Sequence, residues 1–264
     1  AGESAMINEH ILEHHIDLQL DTNLEKIISD DNGRVKAVVT DKGETIECNV
    51  VGLTAGVTPN IDFLKDSGIE LGRGVKVNRF LETNVKDVFA IGDCAEQHEG
   101  IGSRRPIEAV WYTGRMMGEA LAQTLCDKPR KYTPGHWFNS AKFLDVEYQT
   151  YGWVFSERSK KDNEQHFHWR HLSEKICITV AFDKDSHQFL GLNTFGIRMR
   201  HEIFDQWLTE NRDIDHVMTY LRDANFDPEF YKLYEEEIVA KYNADFNKNI
   251  SPKKKSWKRI FSIA

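Results

Sequence analysis

The ten residues Val85–Cys94, V-K-D-V-F-A-I-G-D-C, constrain this chain more than any other stretch. A polar start leads into the apolar run Val88–Ile91, which stops at Gly92-Asp93. A short apolar run closed by turn residues predicts a buried strand. Gly-Asp at its end sets a carboxylate beside a glycine at the C-terminal edge of a sheet. Open α/β sheets bind ligands at that edge. Glycine lets a bulky group approach the backbone, and an aspartate accepts hydrogen bonds from hydroxyls. The chemistry points to recognition of a polyol or ribose-like group, with Gly92 and Asp93 as the candidate residues. The competing reading is an ordinary turn aspartate after a strand.

Composition fits a water-soluble globular chain. Hydrophobic residues make up 40% and charged residues 29% of the 264, and no apolar run approaches membrane-spanning length. The four cysteines, Cys48, Cys94, Cys126 and Cys177, form no C-x-x-C pair. They predict reduced, mostly buried thiols and a cytoplasmic setting. The net charge of −8 is uneven, because Lys253, Lys254, Lys255, Lys258 and Arg259 crowd the last residues. The remainder is therefore more acidic than the total, which argues against nucleic-acid binding. In the tail, Trp257, Ile260, Phe261 and Ala264 recur at helical spacing. Peripheral membrane contact is one reading of it; a terminal helix packed on its own domain, with solvated lysines, is the preferred one.

The order of elements predicts three regions. A helix over 4–15 is followed by a strand over Ile16–Leu20. Leu24–Ser29 and Arg34–Thr40 flank Asn32-Gly33, a strong hairpin signal. After a turn at Asp41–Glu44, Thr45–Leu53 reads as an apolar strand ending near Gly56. Residues 58–130 predict a short helix over Ile61–Asp66, strands at Val75–Val77 and Val88–Ile91, and a helix opened by Pro106 and ended by Asp127-Lys128-Pro129. Beyond Lys131 the chain turns β-rich, over Phe143–Val154, Gln165–Leu172, Lys175–Phe182 and Gln188–Phe195. Helices follow over Met199–Asn211, Ile214–Ala224 and Asp227–Asn243. Strands and then helices predict an α+β domain. In H-F-H-W-R-H, His166 and His168 share a strand face and His171 opposes them if the strand stays regular, but nothing nearby completes a metal set. No metal site or catalytic side chain is assigned.

Three pieces, in order, resemble the pyridine nucleotide-disulfide oxidoreductase family of flavoproteins. E-T-N-V-K-D-V-F-A-I-G-D-C-A-E resembles the family's second flavin-contacting motif. V-V-G-L-T-A-G-V-T-P-N, over Val50–Asn60, resembles its crossover from the NAD(P)H domain to the FAD domain. R-P-I-E-A-V-W-Y-T-G-R-M-M-G-E-A-L-A-Q-T-L, over Arg105–Leu125, resembles the helix whose start lies near the flavin ring. The resemblance implies an α/β remnant of FAD- and NAD(P)-binding domains: residues 1–57 closing the NAD(P)H domain and 58–130 closing the FAD domain. Residues 131–264 stand where the family carries an α+β interface domain, an antiparallel sheet plus helices. It implies that Asp93 holds the ribityl chain of FAD, that Pro106, Ile107 and Ala109 lie near the ring, and that Gly56 passes close to the nicotinamide cofactor.

The family's two G-x-G-x-x-G turns are not in this sequence; in the nearest string, Gly72-Arg73-Gly74, the third glycine position is Val77. The resemblance then implies a C-terminal portion of a longer FAD-dependent NAD(P)H oxidoreductase with an unknown electron acceptor. The isolated chain is expected to be inactive and to bind neither FAD nor NAD(P)H. A His-Pro-Thr-x-x-Glu relay is also missing: Glu202 and Ile203 follow His201. The looser pattern resembles NADH oxidases and ferredoxin or rubredoxin reductases. The aromatics Trp137, Phe138, Phe143, Tyr148, Tyr151, Trp153 and Phe155 predict a homodimer through the third region. A non-catalytic α+β oligomerisation module is the alternative.

Overall fold

The computed structural model describes residues 2–226 and 232–253. Ser4–Pro59 forms one compact unit and the other described residues a second. The basic tail with Trp257, Ile260 and Phe261, and the expected helix start at Asp227, lie outside the described residues. No helix among the described residues is long and apolar enough to cross a membrane.

Helix α1 (Gly2–Glu13), which lies in the smaller unit from Ser4 on, precedes a three-stranded antiparallel sheet of β1 (Leu24–Ser29), β2 (Val35–Thr40) and β3 (Thr45–Glu47). The first hairpin closes as its sequence requires. Asp30 Oδ1 accepts the Asn32 and Arg34 amides, both at 2.9 Å, and Gly33 takes φ +77°. Two expected strands differ. Ile16–Leu20 is not a strand, because His15 and Asp21 on either side adopt positive φ, 57° and 52°. β3 stops at Glu47 instead of running to Leu53. Its partner β2 begins at Val35, so the ladder runs out after Cys48 donates to the Lys36 carbonyl. Beyond it Val50 and Val57 are each 82% exposed.

The larger unit opens with a short 3-10 turn at Asp62–Leu64 and the parallel pair β4 (Val75–Val77) and β5 (Ala95–Gln97). Helix α2 (Trp111–Leu125) covers it, and Val77, Leu81, Ala95, Met117, Ala120 and Tyr132 form the core between them. The expected strand Val88–Ile91 is reduced to one bridge, Phe89 to Glu82, because Asp87 at φ +62° folds the chain back on Leu81–Thr83. The Gly-Asp pair begins a single 3-10 turn, Gly92–Cys94, which leads straight into β5.

The rest of this unit is a five-stranded antiparallel sheet in the order β6-β7-β10-β9-β8, with β6 (Phe138–Phe143), β7 (Val146–Gly152), β8 (Glu164–Arg170), β9 (Cys177–Asp183) and β10 (Phe189–Phe195). β7 lies within the expected strand Phe143–Val154, while β6 was not expected; Leu144 at φ +51° turns the chain between them. Helices α3 (His201–Thr209), α4 (Ile214–Tyr220) and α5 (Glu235–Phe246) follow, and a 3-10 turn extends α4 through Ala224. The Asp213 carboxylate caps α4 by accepting the His216 amide at 2.7 Å. The helices meet the sheet in one core. Phe167, Val180, Phe182 and Leu192 pack there with Phe204, Val217 and Tyr242. Each such side chain contributes about 1.5–3 kcal/mol by leaving water. β7 and β10 pass each other at Gly152 and Gly191: a Cβ on Gly152 would stand 2.3 Å from the Leu190 carbonyl oxygen. Both positions require glycine.

Candidate functional site

Gly92 has φ +77°, a conformation that favours glycine, and the space where its Cβ would point is open. Its amide donates to the Met117 sulfur at 3.3 Å, tying the turn to the second turn of α2. Gly114, one turn earlier, lets the helix come close: a Cβ there would sit 3.5 Å from Gly92 Cα. Asp93 is exposed, and its carboxylate has no hydrogen-bond or ion-pair partner among the described residues. Val110 begins α2 with no side-chain cap, so the first backbone amides of a four-turn helix are left for an outside acceptor. An open glycine turn, an unpaired carboxylate and an uncapped helix start therefore share one locality. Such a set suits a ligand with hydroxyls for the carboxylate and acceptor atoms for the amides.

Pro106 does not open α2. Residues 106–110 run as an irregular strap, and the helix begins at Trp111. The Pro106 carbonyl accepts the Gln97 amide at 2.9 Å, which fixes the strap beside β5. Ile107 reaches Gly74, whose lack of a side chain also makes room for the Cys94 carbonyl. Ala109 is exposed on the same strap. Gly92, Asp93, Pro106 and Ile107 are thus brought to the two ends of β5. Gly56 belongs to the smaller unit; it takes φ +94° with nothing within 4 Å of its missing Cβ.

A helix from Pro106 would give its carbonyl to the Val110 amide, but that carbonyl takes the Gln97 amide and Val110 donates to Glu108 instead. A buried ion pair lies on the same strap. Arg104 Nε donates to Glu108 Oε2 at 3.0 Å, with side-chain exposures of only 7% and 5%. The Glu108 Oε1 atom accepts the Arg105 amide at 3.2 Å, and Arg104 Nη1 donates to the His136 carbonyl at 3.1 Å. Tyr132 lies against this pair with its hydroxyl buried, and burial pushes its pKa up to about 12. None of these residues was singled out from the sequence, although the i, i+4 spacing of Arg104 and Glu108 is a recognised ion-pair signal.

Residues 3–118 match the sequence profile of the pyridine nucleotide-disulphide oxidoreductase family, and they contain Gly56, Gly92, Asp93, Pro106, Ile107 and Ala109. The chain is 39% identical over 88 residues to a rubredoxin-NAD(+) reductase of Acinetobacter baylyi, covering 33% of this chain and 22% of that protein. It is 28% identical over 244 residues to a CoA-dependent NAD(P)H sulfur oxidoreductase of Pyrococcus abyssi, covering 88% and 54%. Its fold resembles a NAD-dependent persulfide reductase from A. fulgidus, with TM-score 0.72 and 18% identity over 92% of this chain and 47% of that one. The chain spans about half the length of the sulfur oxidoreductase.

The histidines of the sheet have separate hydrogen-bond partners. His166 Nε2 lies 2.6 Å from Glu164, and His168 Nδ1 lies 2.9 Å from the Thr179 hydroxyl. His201 opens α3 with its ring 4.1 Å from that of Phe138 and stacked on Tyr151. Burial holds the pKa of His201 below the ordinary histidine value, against the pull of Asp205 and Glu202, while His136 adds to the lowering. Burial acts in the same direction on His168 and His216. The unfolded chain then takes up protons near pH ~6.5 while the folded chain does not. Stability should be fully present above that pH and fall as pH drops below it. Thermal melts from pH 7.5 to 5 test this, and His201→Phe should flatten the decline; equal slopes would assign it to other groups.

Proposed function

We propose that these residues serve an FAD-dependent NAD(P)H oxidoreductase, in which hydride passes from NAD(P)H to FAD and electrons go on to an acceptor. The observation that carries this reading is the exposed, unpaired Asp93 carboxylate beside the open Gly92 turn, set against the uncapped start of α2. Asp93 would accept hydrogen bonds from the ribityl hydroxyls. Pro106, Ile107 and Ala109 would present the strap to the ring, and the α2 amides would favour electron-rich ring atoms. Gly56 would stand near the nicotinamide. When bound, the flavin supplies the redox chemistry, and the protein positions it and tunes its electronics. The relatives' names support the reading: the rubredoxin reductase and the sulfur oxidoreductase are both named for a nicotinamide nucleotide.

The 264 residues contain no G-x-G-x-x-G turn to hold a pyrophosphate. We therefore assign this activity to a protein of the relatives' full length and expect the 264 residues alone to hold no stoichiometric FAD. Residues 131 onward are proposed to pair two copies of the protein, in a cytoplasmic setting. Purification of the protein in its natural length, followed by flavin absorbance and NAD(P)H consumption, tests the assignment. The expected result is one FAD per chain and oxidation of NADH or NADPH with an artificial acceptor. A colourless protein that consumes neither would overturn it.

A further inference from the structure

The larger unit holds a cavity of about 530 Å³ between the loop around Arg104, the ends of β6, β7 and β10, and the start of β8. Its volume is in the range of small-molecule sites. One wall is a ladder of near-parallel rings. Trp137 and Trp153 stack at 5.4 Å and 11°, and Trp153 and Phe155 at 5.8 Å and 2°. The ladder is fixed in place. The Trp153 indole donates to the Ser103 hydroxyl at 3.0 Å, and Arg104 covers Trp137 at 5.1 Å.

Glu164 also lines the cavity, with its side chain only 3% exposed. Its Oε1 faces His166 at 2.6 Å and accepts the Phe155 amide at 3.2 Å, while Oε2 has no partner among the described residues. A carboxylate oxygen that lines the cavity with no protein donor is open to a donor on a bound molecule. The ligand must therefore be planar, to lie along the rings, and must carry hydrogen-bond donors. A quinone fits the rings but offers only acceptors, so Glu164 would repel it. An amino-substituted heterocycle fits both. Two exposed cations complete the pattern: Lys161 lines the cavity, and Arg105 lies 6.0 Å over the Trp153 ring. They suit an anionic group on the same ligand.

We propose that this cavity binds a purine nucleotide, its base along Trp137–Trp153–Phe155, its amino group donating to Glu164 and its phosphate at Lys161 and Arg105. The site is separate from the Asp93 turn, and the proposal does not rest on the flavin reading. Titration of the 264-residue chain with adenosine 5′-monophosphate, read by tryptophan fluorescence, tests it. Saturable quenching is expected. Glu164→Gln should weaken binding roughly tenfold or more, the loss of one charge-assisted hydrogen bond. Lys161→Ala, a surface change, should weaken the nucleotide but leave adenosine unchanged, and it decides the matter if Glu164→Gln does not fold by circular dichroism. Asp93→Ala should have no effect, which separates this site from the flavin assignment. Absence of saturable quenching at millimolar nucleotide, binding indifferent to both Glu164→Gln and Lys161→Ala, or binding of menadione in place of the nucleotide would overturn the proposal.

Discussion

Asp93→Ala is expected to weaken FAD retention by roughly ten- to a hundredfold in the natural-length protein. A hydrogen bond to a charged group contributes about 1.5–3 kcal/mol, which is one to two decades in affinity. The loss should show as flavin released on gel filtration and as a matching fall in NAD(P)H turnover that added FAD partly restores. Folding should be untouched, because the carboxylate is exposed and has no partner among the described residues. Asp93→Asn keeps an acceptor oxygen and should fall between the two. Undiminished flavin content and turnover in Asp93→Ala would remove this residue from the site.

Arg104→Met should produce the largest change in stability, a loss of about 3–5 kcal/mol. The substitution leaves Glu108 as a buried, unpaired charge, and that penalty exceeds what the pair itself is worth. The double change Arg104→Met with Glu108→Leu should regain much of the loss, since apolar side chains of similar size can replace a buried pair. The recovery will be incomplete, because the His136 carbonyl and the Arg105 amide lose their partners as well. Urea unfolding of the two variants checks the order. If the double variant is no more stable than the single, the pair holds the strap by its own attraction and not by the cost of breaking it.

The sequence was most readable where a local rule and its tertiary setting agree. Asn32-Gly33 sits in the hairpin that it predicts, and β1 and β4 have the expected bounds. It misled where a distant partner decides. The Pro106 helix start gives way to an irregular strap because the Pro106 carbonyl is taken by Gln97 of β5. The β6–β7 hairpin was hidden because its turn uses Leu144 at positive φ, with no glycine or proline to mark it. The apolar run after Glu47 has strand-like composition but no remaining stretch of β2 to pair with. The turn at Gly92-Asp93, which leads into β5, was legible from its neighbours in the chain. The Arg104–Glu108–Tyr132 cluster was not, because Tyr132 reaches the pair from beyond α2. The ring ladder was hidden for a similar reason: Trp137 and Trp153 come from different strand ends, and sequence does not state their register.

Gly114 has a consequence for anyone altering the affinity of this turn. It lies away from the Asp93 carboxylate in sequence and bears no functional group, yet it sets how near the helix stands to Gly92. An added methyl would just touch the neighbouring backbone, at 3.5 Å. Alanine is therefore the largest residue that the position accommodates without displacing the helix, and with it the amides at its start. A mutational library confined to groups that could touch a ligand would omit this position. Residue 114 behaves as a spacer of fixed thickness, adjustable by one carbon and no more.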